Sequence, residues 1–64
     1  MIPKPTIPVP SKKILLVEDN DVIREGIAQH LQIDNYLVIQ TSNGAEALKV
    51  LNNFTPDLIL SDIN

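Results

Sequence analysis

The sequence predicts an α/β fold in which three short strands alternate with two helices, in the order β-α-β-α-β. Two observations support this: three short runs rich in apolar residues, typical of buried strands, and two intervening segments whose apolar residues recur at helical spacing. Alternating strands and helices imply a parallel sheet with right-handed crossovers. With the first strand central, the strand order is 2-1-3 and one helix lies on each face, which is half of a doubly wound sheet.

The first strand and the first helix are predicted from the segment that starts at residue 14. Residues 14–17 form an unbroken apolar run, as expected for a strand buried on both faces. After a polar segment, Ile23, Ile27 and Leu31 recur at positions i, i+4 and i+8. This spacing predicts an amphipathic helix that begins near 19–21.

The second strand and the second helix follow a turn. Asp34-Asn35 is a turn pair, and residues 36–40 are aromatic and β-branched enough to form a strand. Asn43, with Glu46 three positions later, is a capping pattern that opens a helix. The apolar positions of that predicted helix are Ala47, Leu48, Leu51 and Phe54.

The third strand is predicted after a proline. Pro56 prevents the second helix from continuing, and Leu58, Ile59 and Leu60 supply a short apolar strand that ends at Ser61-Asp62. Because three strands are wider than the one helix on each face, part of the sheet should stay uncovered. We expect this uncovered part to be the third strand, which also has an unpaired backbone edge.

The remaining composition limits the class of protein. Four of the five prolines lie in the first ten residues, so residues 1–12 are predicted to be a proline-rich flexible tail, and 13–64 the folded domain. The net charge of −3 argues against nucleic-acid or membrane-surface binding. The sequence has no cysteine for a disulfide. Because no apolar run is long enough to span a bilayer and the N-terminus lacks the apolar core of a signal peptide, we expect a cytoplasmic protein.

Three carboxylates follow strand ends that should meet at one edge of the sheet. Glu18 and Asp19 come after the first strand, and Asp62 comes after the third. Oxygen ligands of this kind suit Mg²⁺ or Mn²⁺, which predicts a metal site with one carboxylate free to react. The alternative is structural: Asp19 or Asn20 caps the helix, and Glu18 favours its positive end.

Three segments, at 13–20, 43–48 and 56–64, resemble the receiver domain of two-component response regulators. The resemblance implies a flavodoxin-like doubly wound fold, of which this chain forms the first half. It implies that Asp62 accepts a phosphoryl group from a histidine kinase, so that the chain is a phosphoacceptor module and not an enzyme. It also implies that Mg²⁺ is held by a set of four residues: Glu18, Asp19, Asp62 and the backbone carbonyl of Asn64.

The departures from that family predict altered behaviour. The chain stops just past the third strand, without the hydroxyl residue and the lysine that contact the phosphoryl group in the family, so we expect a truncated receiver with impaired phosphotransfer. We also expect a homodimer, whose contact would be made by the third strand through Leu58, Ile59 and Leu60.

Two other functions stay open from the sequence. One is a degenerate receiver that serves only as a self-associating interaction module. The other is a fragment of a haloacid-dehalogenase-type phosphatase, whose nucleophile motif resembles residues 19–22, with Asp19 as the nucleophile and Asp21 as the acid/base.

Overall fold

The computed structural model describes residues 12–61. Its elements are β1 (Lys13–Val17), α1 (Asp21–Ile33), β2 (Leu37–Thr41), α2 (Gly44–Leu51) and β3 (Leu58–Ser61). The predicted order β-α-β-α-β is therefore confirmed. The predictions for the proline-rich tail up to residue 11, for Asp62 and for Asn64 lie outside the described residues. No helix within 12–61 is both long enough and apolar enough to cross a membrane.

The three strands form one parallel sheet in the order β2-β1-β3, as predicted. Because β1 is the central strand, its residues Ile14, Leu15 and Leu16 are all buried, and Leu15 has no exposed surface. At the carboxyl end of the sheet, Val17 lies opposite Thr41 of β2 on one side and opposite Ser61 of β3 on the other. The residues that leave β1 therefore emerge between the ends of its two neighbours.

The two helices cover β1 and β2. The side chains of Ile14 and Leu16 border the same clefts as Leu31 and Ile27, so α1 lies on the face to which those two strand residues point. Leu15 points to the opposite face, because side chains alternate along a strand, and α2 also packs against β1 and β2. Its complete burial places α2 on that second face, as right-handed crossovers require.

Both helices begin at an asparagine cap. The Asn20 side chain accepts a hydrogen bond from the Ile23 N–H at 3.0 Å, and the Asn43 side chain accepts one from the Glu46 N–H at 2.8 Å. These bonds satisfy backbone donors that the first helical turn leaves free. After α1, Asn35 adopts a left-handed conformation with φ of 70°, which confirms the predicted turn.

Several predicted boundaries were wrong, and β1 begins at Lys13 instead of residue 14. α2 ends at Leu51, so Phe54 lies beyond the helix. The N–H groups of Asn52 and Asn53 bond to carbonyls three residues earlier, which tightens and ends the last turn.

β2 begins at Leu37, one residue after the predicted start at Tyr36. The strand is shifted because the Tyr36 N–H bonds back to the Leu31 carbonyl and completes the end of α1.

The apolar stripes of the helices are narrower than predicted. Ile23 is 50% exposed and Leu48 is 68% exposed, although both follow helical spacing. The fully buried helical positions are the small residues Ala28 and Ala47, which allow a close approach to the sheet. Periodicity identifies the face of a helix, but burial depends on how much sheet lies opposite it.

β3 is the least covered strand of the sheet. Leu58 is 51% exposed and Ile59 is 48% exposed, while Leu60 is half-buried. Within residues 12–61, no Cα atom of either helix lies within 8 Å of a β3 Cα atom. The expected shortage of cover therefore falls on β3, whose outer edge has no neighbouring strand in the described sheet.

Candidate functional site

The candidate site lies at the carboxyl end of β1. The chain leaves Val17 between the ends of β2 and β3, and in a parallel sheet this edge is where ligands bind. A cleft of about 190 Å³ opens there. It is lined by Leu16, Val17, Glu18, Ile27, Leu60 and Ser61.

Glu18 is a buried carboxylate that is held at three of its four polar atoms. It is only 3% exposed. Its N–H donates to the Thr41 carbonyl at 3.0 Å, its carbonyl accepts from Arg24, and its Oε2 accepts from the Asn20 N–H at 3.0 Å. The remaining atom, Oε1, is buried with no hydrogen-bond partner among residues 12–61.

A buried carboxylate oxygen without a partner is costly, because burial removes its hydration and nothing replaces it. A hard cation would supply the missing interaction, since Mg²⁺ and Mn²⁺ bind carboxylate oxygens. The orphaned Oε1 of Glu18 therefore fits the metal that the sequence predicts. Glu18 and Ser61 lie at the carboxyl end of the parallel sheet, where ligands bind in such folds.

Asp19 does not cap α1, which is the structural role that the sequence left open for it. The cap of α1 is Asn20, which was one of the two predicted candidates, and Asp19 is exposed. Glu18 does bond to the Asn20 N–H, so it contributes to the start of the helix as well. One carboxylate oxygen of Glu18 thus holds the loop, while among residues 12–61 neither Glu18 Oε1 nor the Asp19 carboxylate has a hydrogen-bond partner.

Arg24 is a residue of this site that sequence reasoning missed. Its Nη1 donates to the Glu18 carbonyl at 3.0 Å, and its Nη2 pairs with Asp21 Oδ1 at 2.7 Å. Its side chain is only 16% exposed, whereas that of Asp21 is 78% exposed. The apolar spacing of Ile23, Ile27 and Leu31 gives no role to Arg24. The available signal was an arginine near the start of a helix that follows an acidic loop.

Glu46 lies at the start of α2 and is used for capping. The Ser42 N–H and Oγ–H donate to Glu46 Oε1 at 2.8 and 2.9 Å. The Ser42 backbone hydrogen bond is the main cause of a lowered Glu46 pKa, with the Ser42 hydroxyl second, because both donors favour the ionised carboxylate. This carboxylate therefore already has its partners, which distinguishes it from that of Glu18.

The structure brings together only part of the predicted site. Glu18 and Asp19 follow β1 as expected, and Ser61, the last described residue of β3, lies opposite Val17. Within 12–61 no three histidine, cysteine, aspartate or glutamate side chains form a metal-binding group. The parts predicted for Asp62 and Asn64 lie outside the described residues and stay predictions.

Comparison with known proteins gives one consistent family. The family model described as the response regulator receiver domain matches residues 14–64. The transcriptional regulatory protein LnrK of Bacillus subtilis is 43% identical over 53 residues, covering 80% of this chain and 24% of that protein. The polar-differentiation response regulator DivK of Brucella anthropi is 38% identical over 52 residues, covering 81% of this chain and 42% of that protein.

A third relative covers more of the chain. The regulator of RpoS from Escherichia coli is 36% identical over 58 residues, which is 91% of this chain and 17% of that protein. The chain thus spans less than half the length of each of these three relatives. The matched segment includes β1, both helices and β3, which are the elements that build the candidate site.

Proposed function

Because the chain belongs to the response regulator receiver domain family, we propose that Asp62 accepts a phosphoryl group from a histidine kinase while Glu18 and Asp19 hold Mg²⁺ beside it. Receiver domains are phosphoacceptor modules of two-component signalling. The observation that carries the metal site is the buried Glu18 Oε1, which has no partner within the described chain. The backbone carbonyl of Asn64 would complete the protein ligands, and Mn²⁺ would suit the same oxygen donors.

The position of Asp62 in the sequence supports its proposed role. Ser61 is paired with Val17, and Glu18 and Asp62 are the residues that follow this pair on β1 and β3. In the proposed step, an Asp62 carboxylate oxygen attacks phosphorus of the phosphohistidine. The new O–P bond forms as the N–P bond breaks, and the imidazole leaves with the electron pair. Bound Mg²⁺ would offset the negative charge on the phosphoryl oxygens.

The acceptor is tested by mapping an acyl phosphate or a beryllofluoride adduct on the full chain. We expect acetyl phosphate with Mg²⁺ to add one phosphoryl group to Asp62 and Asp62→Asn to abolish the adduct. Asp34→Asn, which removes an exposed carboxylate at the end of α1, is the matched control and should label normally. An adduct on Asp19 would instead support the phosphatase alternative.

We further propose that a second copy of the chain covers β3. Among residues 12–61 no strand pairs with its outer edge, and its Leu58 and Ile59 side chains are about half exposed on opposite faces of the sheet. A two-fold axis beside β3 would pair it antiparallel with its copy and join two three-stranded sheets into one of six strands. A cleft of about 350 Å³, bordered by Leu58 and Leu60 on the α1 face, would also be covered.

Sedimentation equilibrium tests the association. We expect a dimer for the wild type and a monomer for Ile59→Lys, because a charged residue on an edge strand opposes pairing. Leu48→Lys, at an exposed apolar position of α2, is the matched control and should stay dimeric. Association unaffected by both Mg²⁺ and Asp62→Asn would favour the interaction module, with the acidic site vestigial.

A further inference from the structure

We propose that Arg24 is a positioning residue for the metal site, because its guanidinium holds the loop that presents Glu18 Oε1 and the Asp19 carboxylate. This inference rests on the proposed function, since it concerns the same Mg²⁺ site. Arg24 itself would not contact the metal. It would act by fixing the backbone of residues 18–21, a loop that runs from the end of β1 into the first residue of α1.

Arg24 bonds to three of the four residues of this loop. Its backbone N–H donates to the Asn20 carbonyl at 2.8 Å, which is the first hydrogen bond of α1. Its side chain bonds to the Glu18 carbonyl at 3.0 Å and to the Asp21 carboxylate at 2.7 Å. Asp19 is thus carried between residues that are all anchored to Arg24, which restricts where its carboxylate can lie.

The side-chain bonds are of a kind that fixes geometry. The guanidinium is planar and spans two acceptors with separate nitrogens, and its charge strengthens each hydrogen bond. Because the Arg24 side chain is only 16% exposed, water competes little for the hydrogen bonds of its guanidinium. Arg24 holds the carbonyl of Glu18, and the Asn20 N–H holds its Oε2, so the backbone and the side chain of Glu18 are both fixed. The Oε1 of the same carboxylate has no partner among residues 12–61.

The charge of Arg24 and its positioning role predict opposite effects of an Arg24 substitution on the Kd for Mg²⁺. A positive charge next to the loop repels a divalent cation, so removing that charge should tighten Mg²⁺ binding if charge were its only influence. Loss of positioning should weaken binding, as substitution of residues that orient metal ligands does. The direction of the change in Kd therefore distinguishes the two roles.

Calorimetric titration of the full chain with magnesium chloride tests this role. We expect Arg24→Met to raise the Kd for Mg²⁺ about tenfold. Arg24→Lys should cause a smaller rise in Kd, because the lysine ammonium keeps the charge but lacks the two planar nitrogens that reach both acceptors. Lys49→Met removes a charge from an exposed position of α2 and should leave the Kd unchanged or slightly lower.

A second measurement needs no metal. The Asn20 N–H donates to Glu18 Oε2, so its NMR chemical shift reports the loop geometry. It should move in Arg24→Met and stay in place in Lys49→Met. Circular dichroism checks that each variant folds, and if Arg24→Met does not, the Kd and the Asn20 shift of Arg24→Lys decide.

The outcomes separate this inference from the proposed function. If the wild type binds Mg²⁺ and Glu18→Gln abolishes binding, the metal site stands. An Arg24→Met variant that then binds Mg²⁺ as tightly as the wild type, or more tightly, would overturn the positioning role alone. If the wild type binds no Mg²⁺, or if Glu18→Gln binds it unchanged, both the site and the role of Arg24 are overturned.

Discussion

Polar side chains that this small fold buries are held mainly by backbone groups. Thr41 is 4% exposed, and its hydroxyl donates to the Leu16 carbonyl at 2.8 Å. Glu18, the other buried polar residue within 12–61, accepts from the Asn20 N–H, but its Oε1 stays without a partner. The two residues are also joined, because the Glu18 N–H donates to the Thr41 carbonyl. The site is therefore connected to the end of β2 as well as to α1.

At this scale we predict that Thr41→Val destabilises the fold by about 1 kcal/mol, because the Leu16 carbonyl loses a buried donor while the shape of the side chain is kept. Urea denaturation at a fixed protein concentration measures the change. Thr55→Val, the same substitution at an exposed position, is the control and should have little effect. Equal stability of the wild type and Thr41→Val would show that this hydrogen bond contributes nothing net.

Residue patterns predicted the candidate site only in part. Glu18 and Asp19 could be placed because acidic residues after a buried strand lie at the carboxyl edge of a parallel sheet. Arg24 could not, because its contact with the Glu18 carbonyl depends on the phase of α1 and on the bend of the loop. The identity of the cap, Asn20 rather than Asp19, depends on the same geometry.

At the scale of elements, caps and periodicity predicted the fold well. The three apolar runs, the Asn43 and Glu46 pair and the turn at Asn35 each correspond to an observed feature. The end of α2 was wrong because Phe54 fits a helical repeat that the Asn52 turn interrupts. The start of β2 was also wrong, because Tyr36 completes the end of α1. Local signals therefore identify each element more firmly than they fix its boundaries.

The start of α2 should give stability that depends on pH. The Ser42 N–H, followed by the Ser42 hydroxyl, lowers the Glu46 pKa below its ordinary value of 4.5. Because the folded chain has the lower pKa, this stabilisation is fully present above about pH 4.5 and is lost as the pH falls through the folded-state value. We predict that Glu46→Gln flattens this part of the curve of stability against pH.

Chemical denaturation between about pH 2 and pH 7 measures the effect, because this range includes both the titration of a carboxyl group with a lowered pKa and the plateau above it. Glu25→Gln removes the same charge from an exposed position of α1 and serves as the control. It should leave the acid-range slope closer to that of the wild type. If both variants flatten the curve equally, the slope reflects overall charge, and the Ser42 contacts of Glu46 are not its cause.

The whole molecule is a sheet whose cover is uneven. β1 is buried on both faces and β2 is covered by both helices, whereas among residues 12–61 no helix Cα atom lies within 8 Å of a β3 Cα atom. Sequence reasoning anticipated this from widths alone, since three strands are wider than one helix. It could not give the degree of exposure of Leu58 and Ile59, because that depends on where each helix comes to rest over the sheet.

If a second copy covers β3, stability must depend on protein concentration. Folding is then linked to association, so a tenfold rise in concentration favours the dimer by about 1.4 kcal/mol and raises the Tm by about 5 °C. Thermal unfolding of the wild type should follow this dependence, and Leu48→Lys should follow it too. Ile59→Lys should melt lower and lose the dependence, because its edge strand no longer pairs. A wild-type Tm that stays constant over a hundredfold range of concentration would mean that no second copy covers β3, and that the sheet with its two helices is stable as a monomer.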